Sequence, residues 1–186
     1  SMLAYIPDMM HCKNLGSYPV FLGSIIRYLT HYLLPDIPDA NLRRLWTELK
    51  AGYKLLRTDN RYSNLTHNMV HPPSKKLPQL KGKAADIRDL IRPLLSAARR
   101  YLGTDKAEHR DMLAGLEATL LIETMMHKYK RYPRFPPAAA AEFRRACFRF
   151  CQCQDALIRH FHPHTPLFNV TTKSHYLLHL GIICSY

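Results

Sequence analysis

Asp8 and His11 stand three residues apart in the string Asp8-Met9-Met10-His11-Cys12-Lys13-Asn14-Leu15-Gly16, behind a short apolar stretch at 3–6. A carboxylate at the end of a short strand, followed by an imidazole, can bring both groups to one divalent metal or one phosphate. The carboxylate offers hard oxygen ligands, and the imidazole orients it or contacts the anion. The plainer alternative makes Asp8 a helix N-cap with His11 in the first turn. A second acid, Glu123, sits in the apolar run 120–126, and His127 follows four residues on, along the same helical face. That pair reads as a third acid with a metal-ligating histidine or, more simply, as a Glu–His pair on a packed helix.

A different chemistry is written in His127-Lys128-Tyr129-Lys130-Arg131-Tyr132-Pro133-Arg134-Phe135, where cations alternate with aromatics. Lys128, Lys130, Arg131 and Arg134 can neutralise phosphates, and Tyr129 and Tyr132 can stack on bases. Arg144 and Arg145, with Arg149, carry the charge onto the next helical segment, and Lys75, Lys76, Lys81 and Lys83 add to it from a loop. The alternative is a solvated helix end whose dipole favours cations. Cys147, Cys151 and Cys153 with His160, His162 and His164 have the residue types of a zinc site, but not the paired C-x₂₋₄-C and H-x₃₋₅-H spacing. Buried structural thiols are the better reading.

The elements that position these groups are read from helical periodicity. Ile25, Tyr28, Leu29, Tyr32 and Leu33 predict an amphipathic helix that Pro35 stops. Asp39 is a good N-cap for a helix over about 40–57. Residues 58–82 read as a long loop punctuated by Asn60, Asn64, Asn68, Pro72, Pro73, Pro78 and Gly82, a length often functional. Helices are predicted over about 83–102, with Pro93 inside, from Thr104 or Asp105 to about Tyr132, over 138–161, and from Thr171 or Thr172 to about Ser185. Only 3–6 and 167–170 have strand character. The expectation is a mainly α fold of about six helices with at most one or two short strands.

Composition narrows the partners. The 186 residues suffice for one domain or slightly more, with a core that needs no staples. Hydrophobic residues at 47% exclude a disordered chain, and a net charge of +13 excludes an acidic regulator and points to an anionic partner, nucleic acid first. The common Gly-rich nucleotide-binding loops are missing. An odd count of 5 cysteines suits a reducing compartment. No signal peptide and no apolar run of about 20 residues is visible, so a nuclear or cytosolic location without a membrane partner is expected. The Asn64-Leu65-Thr66 glycosylation string is then accidental. Apolar residues reaching Tyr186 suggest a piece of a longer protein.

The string from Asp8 to Gly16, followed by a long amphipathic helix, resembles the second-aspartate region of DDE-type DNA transposases, nearest the CACTA and Kyakuja–Dileera–Zisupton groups with their D-x-M-H-x-x-x-L-G string. Lys173-Ser174-His175-Tyr176-Leu177-Leu178-His179 is similar to the K-x-H-x-x-x-H element that follows the helical insertion in those proteins. The resemblance covers both ends and touches the middle only in helical character. It implies an RNase H-like core segment at 1–16, a helical insertion at 17–165 and the start of the returning core at 166–186. It also implies Asp8 as catalytic acid and metal ligand, His11 as its associated histidine, and Gly16, Lys173 and His175 as motif positions. The parent reaction would be phosphodiester hydrolysis and strand transfer on DNA with Mg²⁺ or Mn²⁺, in a protein able to assemble as an oligomer. With the first and third acids outside it, this chain alone is expected to be inactive and to hold no metal tightly, because two-metal catalysis needs several carboxylates. The rival expectations are a non-catalytic basic helical module for DNA or RNA and a helical protein-interaction domain.

Overall fold

The computed structural model describes residues 13–74, 76–132, 134–162, 164–170 and 172–183. Within them the chain is mainly helical and no strand is present. Among the described residues, six long helices and one of four residues follow in order: α1 (Tyr18–Tyr28), α2 (Pro38–Leu55), α3 (His67–Val70), α4 (Ala84–Tyr101), α5 (Ala107–Lys128), α6 (Pro137–Phe161) and α7 (Thr172–Ile183). Wider π-helical turns, Lys13–Ser17 and Leu29–Leu33, extend α1 at both ends. The expected helices are present. The strand expected at 3–6 lies outside the described residues.

The buried centre is α1, in which every residue from Tyr18 to Ile26 is inaccessible to solvent or nearly so. A helix apolar on all sides has no polar face to set a 3.6-residue period. The sequence pattern therefore detects only its last turns, and the helix begins well before Ile25. Pro19 is accommodated in the first turn, where its missing N–H costs nothing. Phe21 meets the Phe150 ring of α6 edge-on at 5.1 Å and the Phe168 ring at 5.8 Å. Where α5 crosses, Gly115 faces the Phe21 ring, and a Cβ there would collide with its tip. Glycine costs about 1 kcal/mol in a helix relative to alanine, and the packing of the Phe21 ring directly on the α5 backbone offsets it.

The segment 58–82 is a pinned cover rather than a free loop. Thr66 caps α3 by accepting from the Met69 N–H at 3.3 Å. The Gln79 and Lys81 N–H groups donate to Val70 and Met69 at 2.8 and 2.7 Å, and the Leu80 N–H donates to the Pro19 carbonyl at 2.9 Å. Gly23 permits that approach, since a Cβ would stand 2.9 Å from the Leu80 nitrogen.

α2 starts at Pro38, not at an Asp39 cap. Proline preorganises the first helical position, and Asp39 falls in the first turn, where it meets His67 at 3.0 Å. Asn41 fastens this corner: its Nδ2 lies 2.9, 3.1 and 2.6 Å from the carbonyls of Thr30, Leu34 and Asp36. α4 runs through Pro93, against which Gly52 of α2 packs closely.

α5 and α6 are joined by the short connection 129–136 and form the most extensive helix pair among the described residues. α7 lies on α6 and on the Lys13–Ser17 turn. The expected strand character at 167–170 is overturned: Phe168 is buried with φ 60, and its N–H donates to Ser24 Oγ of α1 at 2.9 Å. The Gln154 amide donates to the Asn169 carbonyl at 2.8 Å. Helix side chains thus take the backbone partners that a neighbouring strand would supply. A bulky residue in the left-handed region is strained, and the packing of Phe168 against Phe21 and Phe161 holds it there.

Candidate nucleic-acid interface

Asp8 and His11 lie outside the described residues. The rest of their string is placed from Lys13 onward, and it is helical. Lys13 and Gly16 are buried within the π-helical turn. The Lys13 ammonium donates to Glu123 Oε1 of α5 at 2.5 Å, with only 3% and 12% of the two side chains exposed. The acid that resembled a metal ligand therefore has the lysine of the motif as its partner. His127, expected beside it, is exposed. Tyr18 borders the pair, with Lys13 Nζ 5.9 Å from its ring. Burial, and then the Glu123 charge, raise the Tyr18 hydroxyl well above the usual value of 10. Among the described residues, no three His, Cys, Asp or Glu side chains converge as a metal-binding group.

The two motif-bearing ends of the chain meet. Ser17, at the end of the Asp8–Gly16 string, lies 3.0 Å from Ser174 between their hydroxyl oxygens, both buried. Ser174 is flanked by Lys173, half-buried, and His175, exposed. His175 and His179, one helical turn apart on α7, bring their Nε2 atoms to 2.8 Å. Cys151 of α6 reaches the Ser174 carbonyl through a long 3.8 Å thiol contact. Gly16 and the Lys173–His175 segment are thereby neighbours across a seam that the linear sequence does not reveal.

The cationic string forms the corner between α5 and α6. Lys128 closes α5; Lys130, Arg131 and Arg134 follow on the connection; Arg144 and Arg145 lie two turns into α6, and all six are exposed. No carboxylate pairs with Lys128, Lys130, Arg131, Arg144 or Arg145 among the described residues. The two tyrosines divide their roles. Tyr129 is half-buried, packs against Phe135 with ring centroids 5.4 Å apart, and lies beneath the Lys128 ammonium at 5.2 Å. Phe135 continues to buried Phe143 at 5.0 Å. Tyr132 is 60% exposed and meets Tyr129 edge-on, which leaves a face for a base. An aromatic chain rooted in the core thus holds a turn whose outer surface is positive.

The cysteines of α6 behave as structural thiols. Cys147 and Cys153 are buried and Cys151 half-buried. Burial pushes Cys151 up to about 12 and Cys153 up to about 11, so both stay protonated near neutrality.

Sequence reading missed the group at His31. This imidazole accepts from or donates to Thr30 Oγ1 at 2.8 Å and stands edge-on to His67, with centroids 5.0 Å apart. Burial, then Arg27 and His67, lower it to about 4. The residues are separated in sequence and carry no spacing signal; only the pinned cover brings them together. His109 was missed for the same reason. It is buried, bonded to the Tyr28 hydroxyl at 2.8 Å, and held below its ordinary value chiefly by burial.

No helix among the described residues is long and apolar enough to cross a membrane. No family model, no curated protein and no solved structure matches the chain.

Proposed function

We propose that this chain is a basic helical nucleic-acid-binding module, part of a transposase-like protein, and that DNA docks on the α5–α6 corner. The observation that carries the reading is the set of exposed cations, Lys128, Lys130, Arg131, Arg144 and Arg145, that have no carboxylate partner among the described residues while a core-anchored aromatic turn fixes their backbone. Cations already paired within a protein contribute little to phosphate neutralisation; these are available for it. Arg134 and Tyr132 complete the surface, the tyrosine as the stacking face.

The resemblance to DDE transposases draws support from the seam. A helical insertion must return the chain close to where it left. Ser17, after the D-x-x-H string, and Ser174, inside the K-x-H element, stand in contact. In such a parent, Asp8 and acids elsewhere would hold Mg²⁺ or Mn²⁺ and the metal would activate water for phosphodiester hydrolysis. The part that the α5–α6 corner would play in such a protein is to bind and position DNA, in the nucleus or cytosol.

The test is binding of a blunt duplex by the 186-residue chain across a salt series. Replacing Lys128, Lys130, Arg131 and Arg134 with glutamine should flatten the slope of log affinity against log salt, by up to about 0.9 per phosphate no longer neutralised, with the helical content unchanged. An unchanged slope and affinity would leave the corner a solvated helix end and favour a protein-interaction domain.

A further inference from the structure

Lys130 belongs to two surfaces at once. It stands on the α5–α6 corner, and it also lines an open cleft of about 820 Å³ walled by the end of α2, the first half of α4 and the last half of α5. The floor of this cleft is the Lys13–Glu123 pair. Two of its acids are satisfied internally: Glu123 by Lys13, and Asp89 by Arg88 at 2.6 Å and by the Asn60 amide at 3.0 Å. Three wall cations, Arg57, Arg92 and Lys130, are exposed and have no carboxylate partner among the described residues. Among the described residues of the wall, the acid left to oppose them is Asp59, whose charge also acts on Arg88. Arg57 is held at φ 49, a left-handed conformation that arginine adopts at a cost, at the point where α2 ends on the cleft rim.

We infer that this cleft is a binding site for the phosphate backbone of a single nucleic-acid strand, continuous through Lys130 with the duplex-binding corner. The inference deepens the reading given above and rests on it for the continuity of the two surfaces. Three arguments select the ligand. The unpaired cations come from three separate parts of the fold, so their charges converge on a shared space instead of pointing away from one helix. Among the described residues no Phe, Tyr or Trp lines the wall, and His127 is its one ring, so phosphate contacts to the cations outweigh base stacking in the cleft. Its volume falls within the range of small-ligand clefts, roughly 300–1,000 Å³, which accepts a few linked nucleotides of one strand and not the cylinder of a duplex. Tyr132, two residues from Lys130, then offers a stacking face to a base of the same strand.

The experiment compares a blunt duplex, the same duplex with a single-stranded overhang, and a single-stranded oligonucleotide. Each is titrated over a salt series against the wild-type chain, an Arg57→Gln/Arg92→Gln variant and an Arg57→Lys/Arg92→Lys variant. Neither arginine belongs to the corner, both are exposed, and the fold of each variant is checked by its thermal transition. The glutamine variant should lower the single-strand salt slope by about 1.4, at about 0.7 per phosphate contact, abolish the preference for the overhang, and leave blunt-duplex binding intact. The lysine variant should keep most of the single-strand slope. If the glutamine variant binds the overhang and the single strand as the wild type does while corner variants lose duplex binding, the cleft proposal falls and the corner reading stands. If the cleft variant loses single-strand binding while corner variants keep duplex binding, the cleft stands and the corner reading falls. If poly-glutamate displaces the single strand at equal charge concentration, the cleft is an acidic-peptide site and the proposal is overturned. If no nucleic acid binds the wild type, both fall.

Discussion

Lys13 and Lys130 are the same side chain in opposite physical settings. Lys13 is buried against Glu123 at the floor of the cleft, and Lys130 stands exposed at its rim and on the α5–α6 corner. At the floor, the nearly inaccessible ammonium is tolerable because Glu123 lies 2.5 Å away, and Asn14 Oδ1 accepts from it at 3.4 Å; together these contacts offset its desolvation cost. On the corner, Lys128, Lys130, Arg131, Arg144 and Arg145 are exposed to water with no carboxylate partner among the described residues, which leaves their charges available to an anionic ligand. Lys13, inside the Asp8–Gly16 string, works as a structural anchor. Lys130, in a helix-end string, stands exposed, and in the proposed function it is the one that binds. Position relative to solvent, not residue type, separates the two.

The strongest test of this contrast removes one member of the buried pair. Glu123→Gln should cost about 3–5 kcal/mol of stability, because it strands a buried ammonium. Urea denaturation measures it. A Lys13→Met/Glu123→Leu double variant should regain most of that loss, since an apolar pair of similar volume has no charge to desolvate. A double variant as unstable as the single one would mean that the pair is not the cause.

The two tyrosines of the corner give the next effect. Tyr129→Ala removes a ring packed on Phe135 and should destabilise the fold by about 1–3 kcal/mol. Tyr132→Ala should leave the melting temperature unchanged and weaken single-stranded binding by about 1–3 kcal/mol, the value of one stacked base. Equal effects of both substitutions on stability would erase the distinction between the anchoring and the exposed ring.

The smallest stability change is expected from the exposed cations. Arg144→Gln/Arg145→Gln should shift unfolding free energy by no more than about 0.5 kcal/mol. The same variant should lower the duplex salt slope by up to about 1.8, at about 0.9 for each phosphate left without its cation.

Acid extends the contrast to a weaker base. His31 has its folded-state value lowered to about 4, against an ordinary 6.5, chiefly by burial. The folded state therefore favours the neutral ring, and its contribution to stability is present above about pH 6.5. As the pH falls from 6.5 towards 4, the unfolded chain takes up the proton first and stability declines. His109, lowered in the same direction, adds to that decline. Thermal transitions between about pH 7 and 4 should show it, and His31→Gln should make it shallower. A His31→Gln profile parallel to the wild type would exclude this histidine as a source.

The helical body was legible from local pattern alone. The recurrence of apolar residues at three and four residues, with Leu, Ile and Tyr in α2 and α4, Leu, Ile and Met in α5, and Ala, Phe and Cys in α6, specifies these helices within a few residues, and the prolines and glycines mark their ends, because amphipathic spacing is a local property. The exposed cations of 127–135 were equally legible, since charge and turn residues do not wait for packing to declare themselves. Everything else came from the way the chain folds back on itself. Packing extended α1 back to Tyr18, where burial on all sides removes the periodic signal. It denied the 167–170 segment a strand by bonding its backbone to Ser24 and Gln154. It gave Glu123 to Lys13 across 110 residues, and it set Ser17 against Ser174. Each of these depends on which side chains meet once the helices have docked. Low dielectric and close packing then fix partners that no spacing along the chain encodes.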